Sequence, residues 1–396
     1  MRSSLLVVIQ RYGDVAGGAE AHARMLVGRL RAHVDIEVAT TTARDYWTWQ
    51  NELTAGTTWV DGIRVHRFPV AKPRARMFRS YERRAFAGSH SLADELDFLD
   101  AQGPVAPDLA EFLRRHGREF DHVLFFTYIY WTTVVGLGIV PERALLVPTA
   151  HEEPAIALTM YRRVFHLPRA IAYNTHEERA MVERRFANTR VPNDVVGVGI
   201  DTAPGASAAR FRAAHGLGGP LFLYLGRIVE SKGCPEMFAL WARWRAQTRT
   251  GATLVLAGHR EMAIPARDDI RYLGELSEGD KWDAFAACSA LLVPERLQSL
   301  SLVTLEAWSM GRPVLCPAQA PVLASMSRRA SAGVPYRSFA EFAEACELLV
   351  ERPELTDRLG QSGRDFVART YTWPVVVEKY LDLLAEVRAR NASDLS

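Results

Sequence analysis

The chain has 396 residues, 48% hydrophobic and 24% charged, the balance of a folded globular protein. Its length suits two or three domains of about 150 residues each, and the composition excludes disorder, collagen-like repeats and a disulfide scaffold. The 48 basic and 46 acidic residues leave a formal charge of +2, so the concentrated basic excess of a general nucleic-acid binder is absent.

The run Leu5–Ile9 is too short for a signal-peptide core and is closed by Gln10 and Arg11, so a buried first strand is expected over Leu5–Gln10. A helix follows over Ala19–Ala32, with Ala23, Leu26, Val27 and Leu30 on one face, then strands at Ile36–Thr40 and Ile63–Phe68. The stretch Ala71–Gly117 breaks this rhythm and predicts a helical insertion. Arg74, Arg76, Arg79, Arg83 and Arg84 and the acidic patch Asp94–Asp100 are expected on its solvated face, with contact to an anionic or membrane-linked acceptor as the sharper alternative. Val123–Val140 carries no charge over 18 residues, the lower length of a membrane span. Its threonines and glycines divide it instead into a strand, His122–Tyr128, and a short helix, Ile129–Gly138. Strands at Leu145–Thr149 and Ala170–Tyr173 end the first half, and a boundary falls near Asp201–Ala209.

The alternation then restarts. Strands are expected at Leu221–Leu225, Thr253–Ala257, Ile270–Leu273, Ala290–Pro294 and Pro313–Cys316. Helices are expected at Pro235–Arg245, from a Ser277/Asp280 capping box to Ala287, at Leu302–Met310, Glu341–Leu349 and Glu354–Ala368, and in a closing amphipathic segment, Val375–Ala389. Such alternation predicts the α/β class, with parallel sheets covered on both faces. The simplest architecture is two doubly wound lobes of similar size facing each other across a cleft, with ligands at the carboxyl ends of the strands. Cys234, Cys288, Cys316 and Cys346 show no C-x-x-C spacing and no ligand-spaced histidine pair, which argues against structural zinc and suits a reducing cytosol.

Four constellations carry chemistry. Arg227 ends a strand and Lys232-Gly233 follows it into a helix start at Pro235, which makes a diphosphate site from two cations and free N–H groups. Lysine is rare here, with only Lys72, Lys232, Lys281 and Lys379, so its placement beside such a signature is informative. The segment Gln298-Ser-Leu-Ser-Leu-Val-Thr-Leu-Glu306 follows another strand. Backbone N–H groups of Leu302, Val303 and Thr304 could hold a phosphate, and Glu306 could accept from a ribose diol. Gly13-Asp14-Val15-Ala16-Gly17-Gly18-Ala19-Glu20 gives a turn that another group can approach closely, and it is not the dinucleotide fingerprint. His151-Glu152-Glu153 follows the strand Leu145–Thr149, where a histidine faces a ligand crevice. The blander readings are surface cations, a tight turn and a structural histidine; His22 and His176, on helices, keep that structural reading.

In order and spacing these residues resemble the retaining glycosyltransferases of family 4, which have the two-lobed B-type (GT-B) fold. The similarity covers nearly the whole chain. It rests on Gly17-Gly18-Ala19-Glu20, His151, Leu225-Gly226-Arg227 with Lys232-Gly233, Leu273-Gly274-Glu275, Gln298–Glu306 with Ala307, Gly311-Arg312-Pro313-Val314 and Tyr371-Thr372-Trp373. It implies two Rossmann-like domains, an acceptor-side one over 1–203 and a donor-binding one over 204–374, with the helix 375–396 packing back on the first. It also implies that Arg227 and Lys232 bind the donor's diphosphate, that Glu306 binds its ribose, and that the backbone near Arg271 and Leu273 touches the base. Ser299, Leu300, Ser301, Leu302 and Val303 would hold the β-phosphate and sugar, His151 would contact the donor sugar near the reacting carbon, and Gly17 and Gly18 would shape the floor.

One departure stands out. The family has Glu-x7-Glu, and its first acid contacts the transferred sugar, but here that position is Gln298, while Glu295 lies three residues too early to substitute simply. An amide still binds hydroxyls but supplies no negative charge. The resemblance implies a nucleoside-diphosphate sugar as substrate (UDP- or GDP-linked), no cofactor, no metal and no nucleic acid. The acceptor would be a saccharide or lipid-linked saccharide, in the cytoplasm or at the inner face of the membrane, in envelope or exported polysaccharide assembly. The other readings are a partner protein of the same fold that binds nucleotide without transfer, and a sugar-phosphate synthase of that fold, which product analysis would separate; oligomeric state is left open.

Overall fold

The computed structural model describes residues 2–15 and 17–393. Ala16, inside the glycine turn, and the last three residues of the expected closing helix lie outside the described residues. The chain divides into two compact units, Met1–Val198 with Val376–Ser396, and Gly199–Val375.

The first unit is built on eight strands: β1 Ser4–Val8, β2 Asp35–Thr41, β3 Gly56–Val60, β4 Ile63–Phe68, β5 His122–Phe126, β6 Ala144–Val147, β7 Ala170–Tyr173 and β8 Asn193–Val195. Their order is β3-β4-β2-β1-β5-β6-β7-β8, and every pairing is parallel except β3 with β4. The central strands β1 and β5 are apolar after their first residues, Ser4 and His122, because helices cover both faces; Leu5, Leu6, Val7 and Val8 are fully buried. The sequence reading has no β3 and no β8. β3 is a largely exposed edge strand, Trp59 included, turned into β4 by Asp61 and Gly62, both at positive φ (51° and 75°), as a two-residue hairpin requires.

The insertion after β4 is helical, at Phe78–Ala85, Leu92–Gln102 and Pro107–His116. Most of its charges are solvated, as expected: Arg76, Arg79, Arg83, Arg84, Asp97 and Asp100 are exposed, whereas Glu95 is buried and Arg74 half-buried. Arg74 lies 4.5 Å from the Phe78 ring centroid and donates to the Tyr46 and Trp47 carbonyls and to Gln102. Arg84 pairs with Asp94 and Asp97. The uncharged stretch Val123–Val140 divides into β5 and the helix Trp131–Ile139, and no helix among the described residues is long and apolar enough to cross a membrane.

The second unit has six parallel strands: β9 Leu221–Leu225, β10 Thr253–Ala257, β11 Ile270–Tyr272, β12 Ala290–Leu292, β13 Val314–Pro317 and β14 Gly333–Tyr336. They run in the order β11-β10-β9-β12-β13-β14. The sequence reading misses β14 and the helix Pro321–Ala330 before it. At Ser277 the capping box is half made: its hydroxyl accepts the Asp280 N–H and donates to the Asp280 carboxylate. All four cysteines are free and buried.

The division between units falls at Val198/Gly199, earlier than the expected 203/204. Ile200 N–H donates to the Tyr371 carbonyl at 2.7 Å, and Gly199 packs against Trp373, where a Cβ would collide with the ring; these contacts tie Gly199 and Ile200 to the second unit. The closing helix, Trp373–Ser393, starts there and passes into the first unit, where Lys379 donates to the Val195 carbonyl and Asn391 to that of Glu142.

Candidate functional site

In a doubly wound sheet, ligand sites form where neighbouring strands send their chains in opposite directions. In the second unit that point lies between β9 and β12. The loop after β9 starts at Gly226, whose N–H donates to the Ala257 carbonyl, and the Tyr224 hydroxyl donates to the Arg227 carbonyl at 2.6 Å. Arg227 Nη1 lies 3.3 Å from Glu261 Oε1. After a short turn, Glu230–Lys232, the chain passes Gly233 at φ 76° and enters the helix Cys234–Arg245, with Pro235 in its first turn. A Cβ at Gly233 would lie 2.7 Å from the Pro294 carbonyl oxygen. The absence of a side chain therefore lets the β9 and β12 loops close on each other.

This closure brings together residues that are distant in sequence. Lys232 Nζ lies 2.6 Å from Glu295 Oε2, and Gln298 Nε2 donates to the same oxygen at 3.0 Å. The sequence reading set Glu295 aside for its spacing, yet it is the acid on which Lys232 and Gln298 meet. Beyond it, Ser301 is buried at the start of the helix Leu302–Ser309, and its side chain does not cap that helix; its hydroxyl instead receives the Thr304 hydroxyl at 2.9 Å. Leu300, Leu302 and Val303 pack their side chains on the core, so their polar offering is backbone.

Glu306, one turn further, is largely buried at 16% exposure and takes Lys281 Nζ at 2.8 Å. Burial pushes its carboxyl above the usual range, and Lys281 partly opposes this. Burial alone would lower the Lys281 ammonium, but Glu306 and Glu278 beside it raise it on balance. Lys281 is a second residue that the sequence reading misses; the signals were its rarity and its place three residues after Glu278.

Arg271 and Leu273 lie at and just past β11, the edge strand. Leu273 N–H is spent on the Leu256 carbonyl and its side chain packs on the core, while Arg271 is exposed. Between them Tyr272 is 38% exposed, donates to the Gly258 carbonyl and has the Arg260 guanidinium near its ring.

In the first unit, Gly17 and Gly18 open the helix Gly18–Leu30. A Cβ on Gly17 would strike the Glu20 carboxylate, whereas Gly18 has open space. Glu20 is buried and accepts from Gln10 at 3.0 Å and from Arg11 at 2.9 and 2.6 Å, a network that fixes the turn from below. His151 lies past the end of β6, partly exposed, with Nδ1 3.8 Å from Glu153, beyond hydrogen-bond reach; Glu153 accepts instead from the Tyr128 hydroxyl at 2.7 Å. The backbone before it is held by Glu178: the Ala150 N–H donates to one carboxylate oxygen at 2.5 Å, and the Asn174 N–H to the other at 2.6 Å. Burial pushes the Glu178 carboxyl up to about 8, against backbone N–H donors that lower it.

Residues 207–366 match the family model described as glycosyl transferases group 1. Curated relatives include an alpha-D-kanosaminyltransferase of Streptomyces kanamyceticus, 26% identical over 195 residues, which are 46% of this chain and 50% of that protein. An alpha-maltose-1-phosphate synthase of Mycobacterium tuberculosis is 22% identical over 188 residues, 43% of this chain and 49% of that protein. The chain thus spans about half the length of the curated relatives it matches. Similarity to solved structures extends over nearly the whole chain. A sucrose-phosphate synthase from Thermosynechococcus elongatus superposes with a TM-score of 0.72 at 16% identity, covering 98% of this chain and 100% of that one. WaaG, a glycosyltransferase involved in lipopolysaccharide biosynthesis, gives 0.65 at 14%, covering 96% and 99%. The fold is that of the GT-B glycosyltransferases, α/β with two parallel-sheet domains. The matched residues 207–366 all lie within the second unit, Gly199–Val375.

Proposed function

We propose that this chain is a retaining glycosyltransferase of family 4 that moves a sugar from a nucleoside-diphosphate sugar to an acceptor hydroxyl. The observation that carries this reading is the meeting of the β9 and β12 loops, which gathers Lys232, Glu295 and Gln298 beside an uncapped helix start. In support, an Anabaena HepE structure that covers 97% of this chain, with a TM-score of 0.67 at 13% identity, is described as a complex with UDP and glucose. A UDP- or GDP-linked donor follows from this reading, with Arg227 and Lys232 on the diphosphate and Glu306 on the ribose.

In the reaction, the bond from the sugar's anomeric carbon to the phosphate oxygen breaks, and a bond from that carbon to the acceptor oxygen forms on the same face. The departing diphosphate gathers charge, which Arg227, Lys232 and the backbone N–H groups at Leu302 and Val303 stabilise. A leaving-phosphate oxygen takes the acceptor's proton, so no carboxylate pair across the bond is needed. His151 and the Gly17-Gly18 turn serve the transferred sugar and acceptor. No metal or cofactor enters this scheme. A saccharide or lipid-linked saccharide acceptor, used in the cytoplasm or at the inner membrane face in envelope polysaccharide assembly, completes the proposal.

Thermal-shift titration with UDP, GDP, ADP, dTDP, CMP and NADH, with and without EDTA, tests it. One nucleoside diphosphate at ~100 times its Kd should add about 2.7 kcal/mol of stability regardless of EDTA. No response to any nucleotide would overturn the donor-site reading. A second reading, a nucleotide-binding partner without transfer, is favoured by the amide at Gln298. Nucleotide binding without any sugar release or transfer would select it.

A further inference from the structure

Glu295 is a carboxylate with two competing claims on one oxygen. Its Oε2 takes the Lys232 ammonium at 2.6 Å and the Gln298 amide at 3.0 Å. Lys232 and Glu295 are about one-quarter exposed, 25% and 24%, so the pair is reachable by a ligand but only partly screened by water. Arg227 has its own acid in Glu261. An incoming diphosphate therefore does not meet a bare cation: it must draw Lys232 away from Glu295.

The same contact fixes Gln298. An ionised carboxylate only accepts hydrogen bonds, so the Gln298 branch facing Glu295 is the NH2 group. The amide oxygen is then the other branch, an acceptor. Once Lys232 has moved to a phosphate, Glu295 is left with the amide alone and needs new donors, because a partly buried carboxylate that loses its cation is costly. A sugar supplies them through its hydroxyl hydrogens; a free nucleoside diphosphate supplies none beside the terminal phosphate.

We infer that Glu295 is a specificity-determining residue of the donor site. It competes with the diphosphate for Lys232 and, with the Gln298 carbonyl oxygen, accepts hydroxyl hydrogens of the transferred sugar, so that sugar-loaded nucleotide is favoured over the bare diphosphate product. This rests on the donor-site reading of the previous section.

Titration calorimetry on the full chain tests it, with UDP, GDP and ADP and their glucose conjugates as ligands, against wild type, E295Q, K232A and the E295Q/K232A double variant. E295Q frees Lys232, so the bare diphosphate should bind about tenfold more tightly while the sugar conjugate does not gain, and the preference shifts by about tenfold. In the K232A background, E295Q should no longer change affinity for the bare diphosphate. Wild-type affinities for both ligands in E295Q, or an equal change in both, would overturn the role of Glu295 while leaving the donor site intact. No binding of any nucleotide by wild type would instead overturn the donor site itself, and the role of Glu295 with it.

Discussion

Lys232 meets Glu295 from a loop that a glycine allows to close, so its charge, which the proposed function sets on the diphosphate, is placed rather than merely present. Lys232→Ala should lower turnover at least ~100-fold, the scale for losing one stabiliser of developing charge, and steady-state kinetics with the donor found by thermal shift would check it. Near-normal turnover would remove the phosphate role. Glu306 is mostly buried and held by Lys281, which keeps its carboxylate in one orientation. Glu306→Ala should weaken nucleotide affinity by about 10- to 100-fold with a smaller effect on turnover, as calorimetry would show. At this scale the sequence was legible in where residues fall along the chain: Arg227 and Lys232 do follow β9, and Glu306 does lie in the helix after β12, while their roles belong to the proposal. It was opaque where pairing depends on two loops meeting. Glu295 and Lys281 each find their partner across a gap that no local pattern encodes: 63 residues separate Lys232 from Glu295, and 25 separate Lys281 from Glu306.

Among elements, strands buried on both faces were legible because an unbroken apolar run has few other uses; Leu221–Leu225, Thr253–Ala257 and Ala170–Tyr173 appear at their expected limits. Of the edge strands, β11 was read but β3, β8 and β14 were not. β3, Gly-Thr-Thr-Trp-Val, is nearly all exposed, and its clearest signal was the Asp61-Gly62 turn; β14 contains Pro335, which suits an edge and breaks the pattern sought. Glu178 shows how elements are tied at their ends. It joins the backbone just past β6, at Ala150, to the end of β7, at Asn174, with both oxygens used. Glu178→Ala would leave two buried N–H groups without acceptors, at about 1–3 kcal/mol each. Chemical denaturation should show that loss, and hydrogen exchange should quicken at Ala150 and Asn174 ahead of the β6 core. Unchanged exchange there would show that Glu178 does not hold the His151 loop.

At the scale of the whole molecule, buried titratable groups set the pH dependence of stability. His22, edge-on to Phe126, and His122 are pushed down to about 3 and about 4 by burial. The unfolded chain takes up those two protons below about 6.5, so stability is lost as pH falls from there. Glu178 acts in the opposite sense. The folded chain keeps its proton up to about 8, so stability falls as pH rises from the unfolded carboxylate range to that value. Below about 6.5 the two histidines oppose Glu178 and Glu306, whose carboxyl is also raised; above it the histidines no longer contribute, and Glu178 leaves stability falling with pH to about 8. Urea denaturation from pH 5 to pH 8 should therefore show stability falling above about 6.5, and Glu178→Gln should flatten the alkaline arm. A wild-type maximum at pH 8 would contradict this balance.

The helix Trp373–Ser393 gives the order of synthesis a structural meaning. Its residues Val376, Tyr380, Leu383, Leu384 and Val387 are buried, and from Val376 onward they belong to the first unit. That unit is therefore discontinuous in the chain. Residues up to Val198 leave the ribosome without a segment that their apolar surface requires, and they wait for the whole of the second unit to be made, some ten seconds or more at about 5–20 residues per second. The second unit, contiguous from Gly199 to Val375, is complete first even though it is made second. A released chain truncated after Val375 should thus hold a protease-resistant second unit and a first unit still exposed to cleavage and to chaperones.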